Sequence, residues 1–349
     1  MGASSYFINS YLEVMTPQFQ PQLPRIHGGP DAMGAVRFDF STNSNACGPC
    51  PAALCAVQQA DASQYPDASY TVLRERLADF HGVDVQRMVL AASASEFIFR
   101  ITAMVARRGG SSVALPPHSY GDYAHAAAGY GLKVANHPMD ADLFWACEPS
   151  SPLGTAHENW QSAPSAVWVL DRAYEPLRLS GEFAHGGILD SFWQLYSPNK
   201  ALGLTGVRAA YAIAPLNTQA DIDTMNQLSP SWPIGAHGVA MLQAWVSPLA
   251  QSWLAGSRGT LREWKARQLA LCEAMGWPCL PSDANFFCAM PALSSALTAE
   301  LSLPGALARL REQGIKLRDA TSFGLPGYVR LGVLAPAAQD TLAAALRCL

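Results

Sequence analysis

The chain has 349 residues, half of them hydrophobic and only 14% charged, with a formal net charge of −4. That length can hold a large core and usually divides into about two domains. The acidic balance without a basic run gives no footprint for nucleic acid, no stretch reaches the roughly 20 apolar residues of a membrane helix, and the opening residues lack a basic-then-apolar leader.

A cytoplasmic protein with neither nucleic acid nor membrane as partner is therefore expected. Eight cysteines scattered along such a chain form no compact disulfide framework. Cys47 and Cys50 have redox-motif spacing, but no strand-then-helix pattern surrounds them and no second pair completes a zinc site. No metal is expected.

In chain order, the Pro-rich stretch 17–24 reads as an extended arm, and the segment through about Phe40 as part of a smaller lobe. Tyr70–Phe80 sets Val72, Leu73, Leu77 and Phe80 near one helical face and stops at Gly82. Short apolar runs follow at Met88–Ala91, Ser112–Leu115, Leu143–Cys147, Ala166–Leu170 and Ala209–Ala214. They alternate with helical stretches such as Glu96–Arg107, which opens directly after a small-residue turn. Such alternation predicts a mostly parallel sheet covered by helices. Beyond Pro230 come helices at Val239–Val246 and Thr260–Met275, a strand at Asn285–Ala289, a helix at Gly305–Gln313, a strand at Val329–Val333 and a last helix from Pro336. The expected fold class is α/β. A large domain over 45–230 carries the mostly parallel sheet, and 231–349 supply linking helices and a smaller α+β domain. Residues 1–44 form an arm and part of that smaller domain.

The chain has four lysines: Lys133, Lys200, Lys265 and Lys316. Lys265 lies in a charged helix, and Lys133 and Lys316 lead into strands after Gly131 and Gly314. Lys200 instead sits in an otherwise uncharged, Gly-containing loop, Ser197-Pro198-Asn199-Lys200-Ala201-Leu202-Gly203. An amine there is either an ordinary solvated lysine or one desolvated enough to form a Schiff base. Ser197, three residues before it, and Arg208, eight after it, could meet one phosphate. Asp171 closes an apolar run 29 positions upstream, with Tyr174 three residues later. Such a carboxylate either caps a helix or keeps a pyridinium nitrogen protonated, and a phenol one step on can bond a ring oxygen.

Asp171-Arg172-Ala173-Tyr174, then Ser197-Pro198-Asn199-Lys200 with Gly206-Val207-Arg208, resembles the signature of fold-type I pyridoxal-phosphate enzymes. Within these it is most similar to the group containing histidinol-phosphate aminotransferase and threonine-phosphate decarboxylase. His27-Gly28-Gly29, the run Asp39–Asn45, Tyr65–Tyr70, Ala284-Asn285-Phe286 and Leu317-Arg318 with Val329-Arg330-Leu331 fall in the order of that group, so about nine-tenths of the chain is covered. The resemblance implies pyridoxal 5'-phosphate as cofactor, with Lys200, Asp171 and Tyr174 as the catalytic set. It places Ser93, Ala94 and Ser95 in a phosphate-cradling turn before a helix N-terminus, Tyr120 on the ring face, and Ser151 at the ring oxygen. Ser197 and Arg208 join the cofactor shell, and Tyr65 reaches the phosphate of a neighbouring subunit, which implies a homodimer with shared sites. Arg330, with Arg318, is the implied clamp for a substrate carboxylate or phosphate, with Asn43, Asn45 and His27 lining the substrate side.

Departures mark a specialised relative. Ala92-Ser93-Ala94 stands where the family has Gly-Asn-Gly, and Ser151 replaces an asparagine. The short interval from Gly154 to Ala166 leaves one covering helix trimmed. The expected activity is amino-group transfer from a small amine or amino acid, histidinol-phosphate aminotransferase-like. The alternatives are decarboxylation of the threonine-phosphate decarboxylase type and a non-catalytic homologue that binds the cofactor.

Overall fold

A computed structural model describes residues 27–161, 163–292 and 302–347; the arm read at 17–24 lies outside them. The first elements are β1 (Phe38–Asp39), α1 (Pro51–Gln58), α2 (Thr71–His81), β2 (Met88–Ala91), α3 (Ala94–Arg107), β3 (Ser112–Ala114) and α4 (Gly121–Gly129). Next come β4 (Lys133–Val134), β5 (Leu143–Cys147), β6 (Val167–Asp171), β7 (Trp193–Tyr196), β8 (Ala210–Ile213), α5 (Gln219–Gln227), α6 (Ala236–Trp245) and α7 (Pro248–Ala274). The chain closes with β9 (Phe286–Ala289), α8 (Leu303–Glu312), β10 (Ile315–Lys316), β11 (Arg318–Asp319), β12 (Val329–Gly332) and α9 (Pro336–Leu346).

Local chemistry fixes the ends of the helices that matter. Ser93 accepts the Glu96 amide at 3.0 Å while the Glu96 carboxylate reaches back to the Ala92 amide at 3.1 Å, so two orphan donors at the start of α3 are satisfied. The Asp67 carboxylate accepts the Ser69 and Thr71 amides before α2, and Gly82 ends that helix in the left-handed region. No helix stands among the described residues of 155–165, in line with the trimmed interval read from the sequence.

Seven strands form the main sheet in the order β2-β8-β7-β6-β5-β3-β4, and the run from β7 to β4 is parallel throughout. Only β8 runs against its neighbours. The sheet is therefore mostly parallel, as expected, and β7 joins it although the sequence reading named no strand there. Burial on both faces explains the near-continuous apolar runs. Along β2, Val89 and Ala91 pack with α3, α4 and α5, whereas Met88 and Leu90 face the core under α1, α2 and α6; β8 divides Ala210 and Ala212 from Tyr211 and Ile213 the same way. A second sheet, β11-β12-β9, is antiparallel, and β1 pairs in parallel with β10. The segment around Phe38 thus lies with the C-terminal elements.

One lysine is not solvated as its charged sequence surroundings suggest. Lys265 on α7 is buried, donates to the carbonyls of Ser282 (2.5 Å) and Ala284 (2.8 Å), and burial pulls its ammonium down to about 8. It fastens α7 to the strand entry at β9.

The loop carrying Lys200 is clamped from below. The Asn45 amide donates to the Lys200 carbonyl at 2.9 Å and the Cys50 amide to the Leu202 carbonyl at 2.8 Å. The Cys47–Cys50 turn, which leads into α1, is therefore a structural brace, and among the described residues no cluster suited to a metal occurs. Gly203 makes the approach possible: its φ is +68°, and a Cβ there would lie 2.5 Å from the Gly48 carbonyl oxygen. Gly203→Ala is expected to lower unfolding free energy by roughly 2–4 kcal/mol, the sum of a left-handed penalty and overpacking. Urea unfolding checks this, and an unchanged midpoint would contradict the brace.

Candidate functional site

Parallel strands deliver their C-terminal ends to one edge of a sheet, where open α/β folds place their ligands. Here that edge opens into a cavity of about 490 Å³. Cys147 at the end of β5, Ser151 just beyond, Asp171 at the end of β6, and Ser197, Asn199 and Lys200 after β7 line one side. Ala94 and Ser95 at the start of α3 and Tyr120 before α4 line another, and Arg318, Phe323 and Arg330 close it from the three-stranded sheet. His27 and Asn43 complete the wall.

Lys200 is the lysine on this wall, with Nζ 5.3 Å from the centroid of the Tyr174 ring. Asp171 is buried, and its two oxygens accept from the Tyr123 hydroxyl at 2.7 Å and the Ala173 amide at 2.8 Å. Tyr123 is held for this by stacking on Trp145, with ring centroids 4.3 Å apart. Burial, and then the neighbouring Asp171 carboxylate, push the Tyr123 phenol and the Cys147 thiol far up. Both stay protonated beside Asp171. Asn43 Nδ2 donates to the Tyr174 hydroxyl at 3.4 Å.

At the other end, the N-terminus of α3 faces the cavity with Ser95, whose hydroxyl lies 3.3 Å from that of Tyr120. Burial raises the Tyr120 phenol, so that ring too is neutral. Ser197 donates to Asn199 Oδ1 at 2.9 Å, and Asn199 donates to the Thr205 and Val207 carbonyls, which pins the loop between Lys200 and the exposed Arg208 at the rim. The start of α3, Ser95, Ser197 and the Arg208 guanidinium line this part of the cavity, residue types suited to an anion.

Arg330 is buried, donates Nη2 to the Ser41 carbonyl at 3.0 Å and lies 3.4 Å from the Ser151 hydroxyl. Its Nε and the Asn43 Oδ1 are buried with no hydrogen-bond partner. Arg318, also buried, spends Nη1 on the Asp319 carbonyl and Nη2 on Ser322.

Two sequence-derived placements, Asn45 and Ser93, need amending, whereas Tyr65 was expected to serve a neighbouring subunit. Asn45 is not on the wall: Nδ2 donates to the Ala201 carbonyl (3.0 Å) and Ser257 (2.9 Å), and Oδ1 accepts the Cys47 amide, so the side chain is consumed in bracing the Lys200 loop. Ser93 is absent from the wall as well, because its hydroxyl caps α3; only Ala94 and Ser95 reach the cavity. Tyr65 lies outside the cavity of its own chain, 79% exposed and stacked on Trp232 at 4.5 Å. Residues the sequence reading did not single out are Tyr123, Asn199 and Phe323. A helical i, i+3 step from Tyr120 could have flagged Tyr123, whereas nothing local marks Phe323.

An amine, a carboxylate and an anion cradle around one cavity suit a ring carrying an aldehyde, a basic nitrogen and a phosphate. Comparison with known proteins agrees with that chemistry. The sequence profile of aminotransferase class I and II matches residues 36–349. Histidinol-phosphate aminotransferase of Jannaschia sp. (strain CCS1) is 27% identical over 343 residues, covering 89% of this chain and 90% of that enzyme. The structure of histidinol-phosphate aminotransferase from Sinorhizobium meliloti in complex with pyridoxal-5'-phosphate superposes with a TM-score of 0.75 at 20% identity, covering 95% of this chain and 97% of that one. L-threonine-O-3-phosphate decarboxylase from Porphyromonas gingivalis superposes at 0.71 with 21% identity, covering 88% and 98%.

Tyr123→Phe keeps the stack on Trp145 but removes a donor from a buried carboxylate. It is expected to cost about 1–3 kcal/mol. Denaturant unfolding measures this, and a loss below the experimental error would mean that Asp171 does not depend on that hydroxyl.

Proposed function

Because this chain belongs to the aminotransferase class I and II family, we infer that its cavity moves the amino group of a small amine that also bears a carboxylate or a phosphate. The chain is a pyridoxal-phosphate-dependent aminotransferase; the substrate class and the residue roles that follow are our reading. The observation that carries it is that Lys200 and Asp171 line the same side of one cavity whose wall also holds the buried Arg330.

When bound, the cofactor supplies an aldehyde and an electron-withdrawing ring that weakens the bonds at the substrate Cα. The start of α3, with Ser95, Ser197 and Arg208, would hold the phosphate. Tyr120 would flank the ring. Asp171 would keep a proton on the ring nitrogen, and the Tyr123 hydroxyl and the Ala173 amide orient its carboxylate for that purpose. Tyr174, oriented by Asn43, would donate to the ring oxygen. Lys200 Nζ would hold the cofactor at its aldehyde and serve as the general base and acid for the proton at the substrate Cα. Arg330 would clamp the substrate anion, with His27 and Asn43 beside it.

The exposed Tyr65–Trp232 pair offers an aromatic face to a second copy of the chain, in keeping with a homodimer in which Tyr65 completes the neighbouring site. We further read 45–230 as the cofactor-binding domain and 231–349, with part of 1–44, as linking helices and the smaller domain. Among the described residues no helix is long and apolar enough to cross a membrane.

A panel of amino acids and phosphorylated amines added to holoprotein tests the activity. A responsive amine is expected to convert the bound cofactor's visible band to that of its amine form, with release of a carbonyl product. Release of CO₂ without that conversion would indicate decarboxylation, and a band inert to the whole panel would indicate a binding protein. With a responsive amine, Arg330→Gln is expected to raise KM roughly 10–100-fold, since a charge-assisted hydrogen bond is worth about 1.5–3 kcal/mol, with a much smaller change in kcat. An unaltered KM would remove Arg330 from the clamp.

A further inference from the structure

Arg318 and Arg330 are register partners on β11 and β12. Their side chains therefore leave the sheet on one face, where like charges directly opposite each other are unfavourable. Both are buried, and Arg318 is pulled down to about 10 by burial and then by Arg330. Phe323 stands against both: its ring centroid is 4.8 Å from Arg318 Cζ and 5.3 Å from Arg330 Cζ. An aromatic ring attracts a cation, so one shared ring offsets part of the repulsion and sets the spacing of the two guanidinium groups.

The place of Phe323 is in turn fixed from the opposite side of the cavity. His118, in the loop between β3 and α4 and two residues before Tyr120, lies with Nδ1 2.7 Å from the Phe323 carbonyl. A carbonyl only accepts, so Nδ1 carries the proton. Gly324 follows in the left-handed region, φ +78°, and ends the turn that carries Phe323. From its own side the turn is stapled by Arg318, which donates to Ser322 and to the Asp319 carbonyl at 2.7 Å each.

We propose that His118 and Phe323 are positioning residues for the substrate anion. His118 ties the turn at Thr321–Phe323 to the loop that carries Tyr120, and Phe323 sets the separation of the two guanidinium groups on which a carboxylate or phosphate is received. This rests on the amine-plus-anion reading given above. Neither residue moves a proton. They decide how far from the reacting end the anion sits, and hence the length and charge of the amine that fits.

Calorimetric titration of holoprotein with inorganic phosphate tests this without turnover. Phe323→Ala and His118→Ala are each expected to weaken phosphate binding roughly tenfold, the scale of one desolvated cation–ring contact, while the absorbance of the bound cofactor stays unchanged. His118→Asn, which keeps an N–H donor, should recover binding to within about threefold of wild type. A purely structural role would instead lower the unfolding midpoint in step with binding and would not be rescued. That result overturns the proposal, as does phosphate binding unchanged in Phe323→Ala. Arg330→Gln separates the two levels. If it abolishes phosphate binding while Phe323→Ala and His118→Ala do not, the positioning role alone fails; if it leaves binding intact, the anion clamp itself fails.

Discussion

Everything in this molecule that bears on chemistry depends on the parallel alignment of β5, β6 and β7. Because these strands run the same way and pair in register, their C-terminal ends reach one edge together, and the side chains just beyond them meet in one cavity. Asp171 is the last residue of β6, and Lys200 follows β7 by a four-residue step. The clamp beneath that step, from the Asn45 and Cys50 amides to the Lys200 and Leu202 carbonyls, converts a loop into a fixed mount. Without it the amine would sample many rotamers, and a reacting group must be held close to its productive geometry.

The same edge concentrates the costly groups of the fold. A buried carboxylate, two buried guanidinium groups and the Tyr174 phenol lie within one wall, each partly satisfied by a neighbour. Arg330 Nε and Asn43 Oδ1, on two residues that line the cavity, remain buried without a hydrogen-bond partner. Stability is ceded there for binding, the usual sign of a functional site rather than of a packed core. The main sheet supplies the compensation, with Trp145, Trp193, Tyr211 and Phe97 fully buried on its faces.

The sequence carried the sheet and the mount plainly, because both are local. Apolar runs bounded by turns marked five strands, and Lys200 stood out by being a cation in an uncharged Gly-containing loop. Relations between distant segments were harder. Asn43 and Asn45 belong to one string, yet one reaches the cavity and the other turns to Ala201 and Ser257, a choice made by α7 more than 200 positions away. Lys265 reads as a surface residue until the 282–284 segment covers it. Phe323 and His118 meet although 205 positions separate them, and no spacing in the chain announces that contact. Tyr65, exposed in its own chain, can be judged only against a second copy.

The central claim is that the amine on this mount, and no other, holds the cofactor. Borohydride reduction of holoprotein followed by proteolysis and mass spectrometry tests it most directly. The account predicts a single adduct of pyridoxyl-phosphate mass on the peptide containing Lys200. An adduct on Lys133, Lys265 or Lys316, or a tightly bound cofactor that leaves Lys200 unmodified, would contradict it.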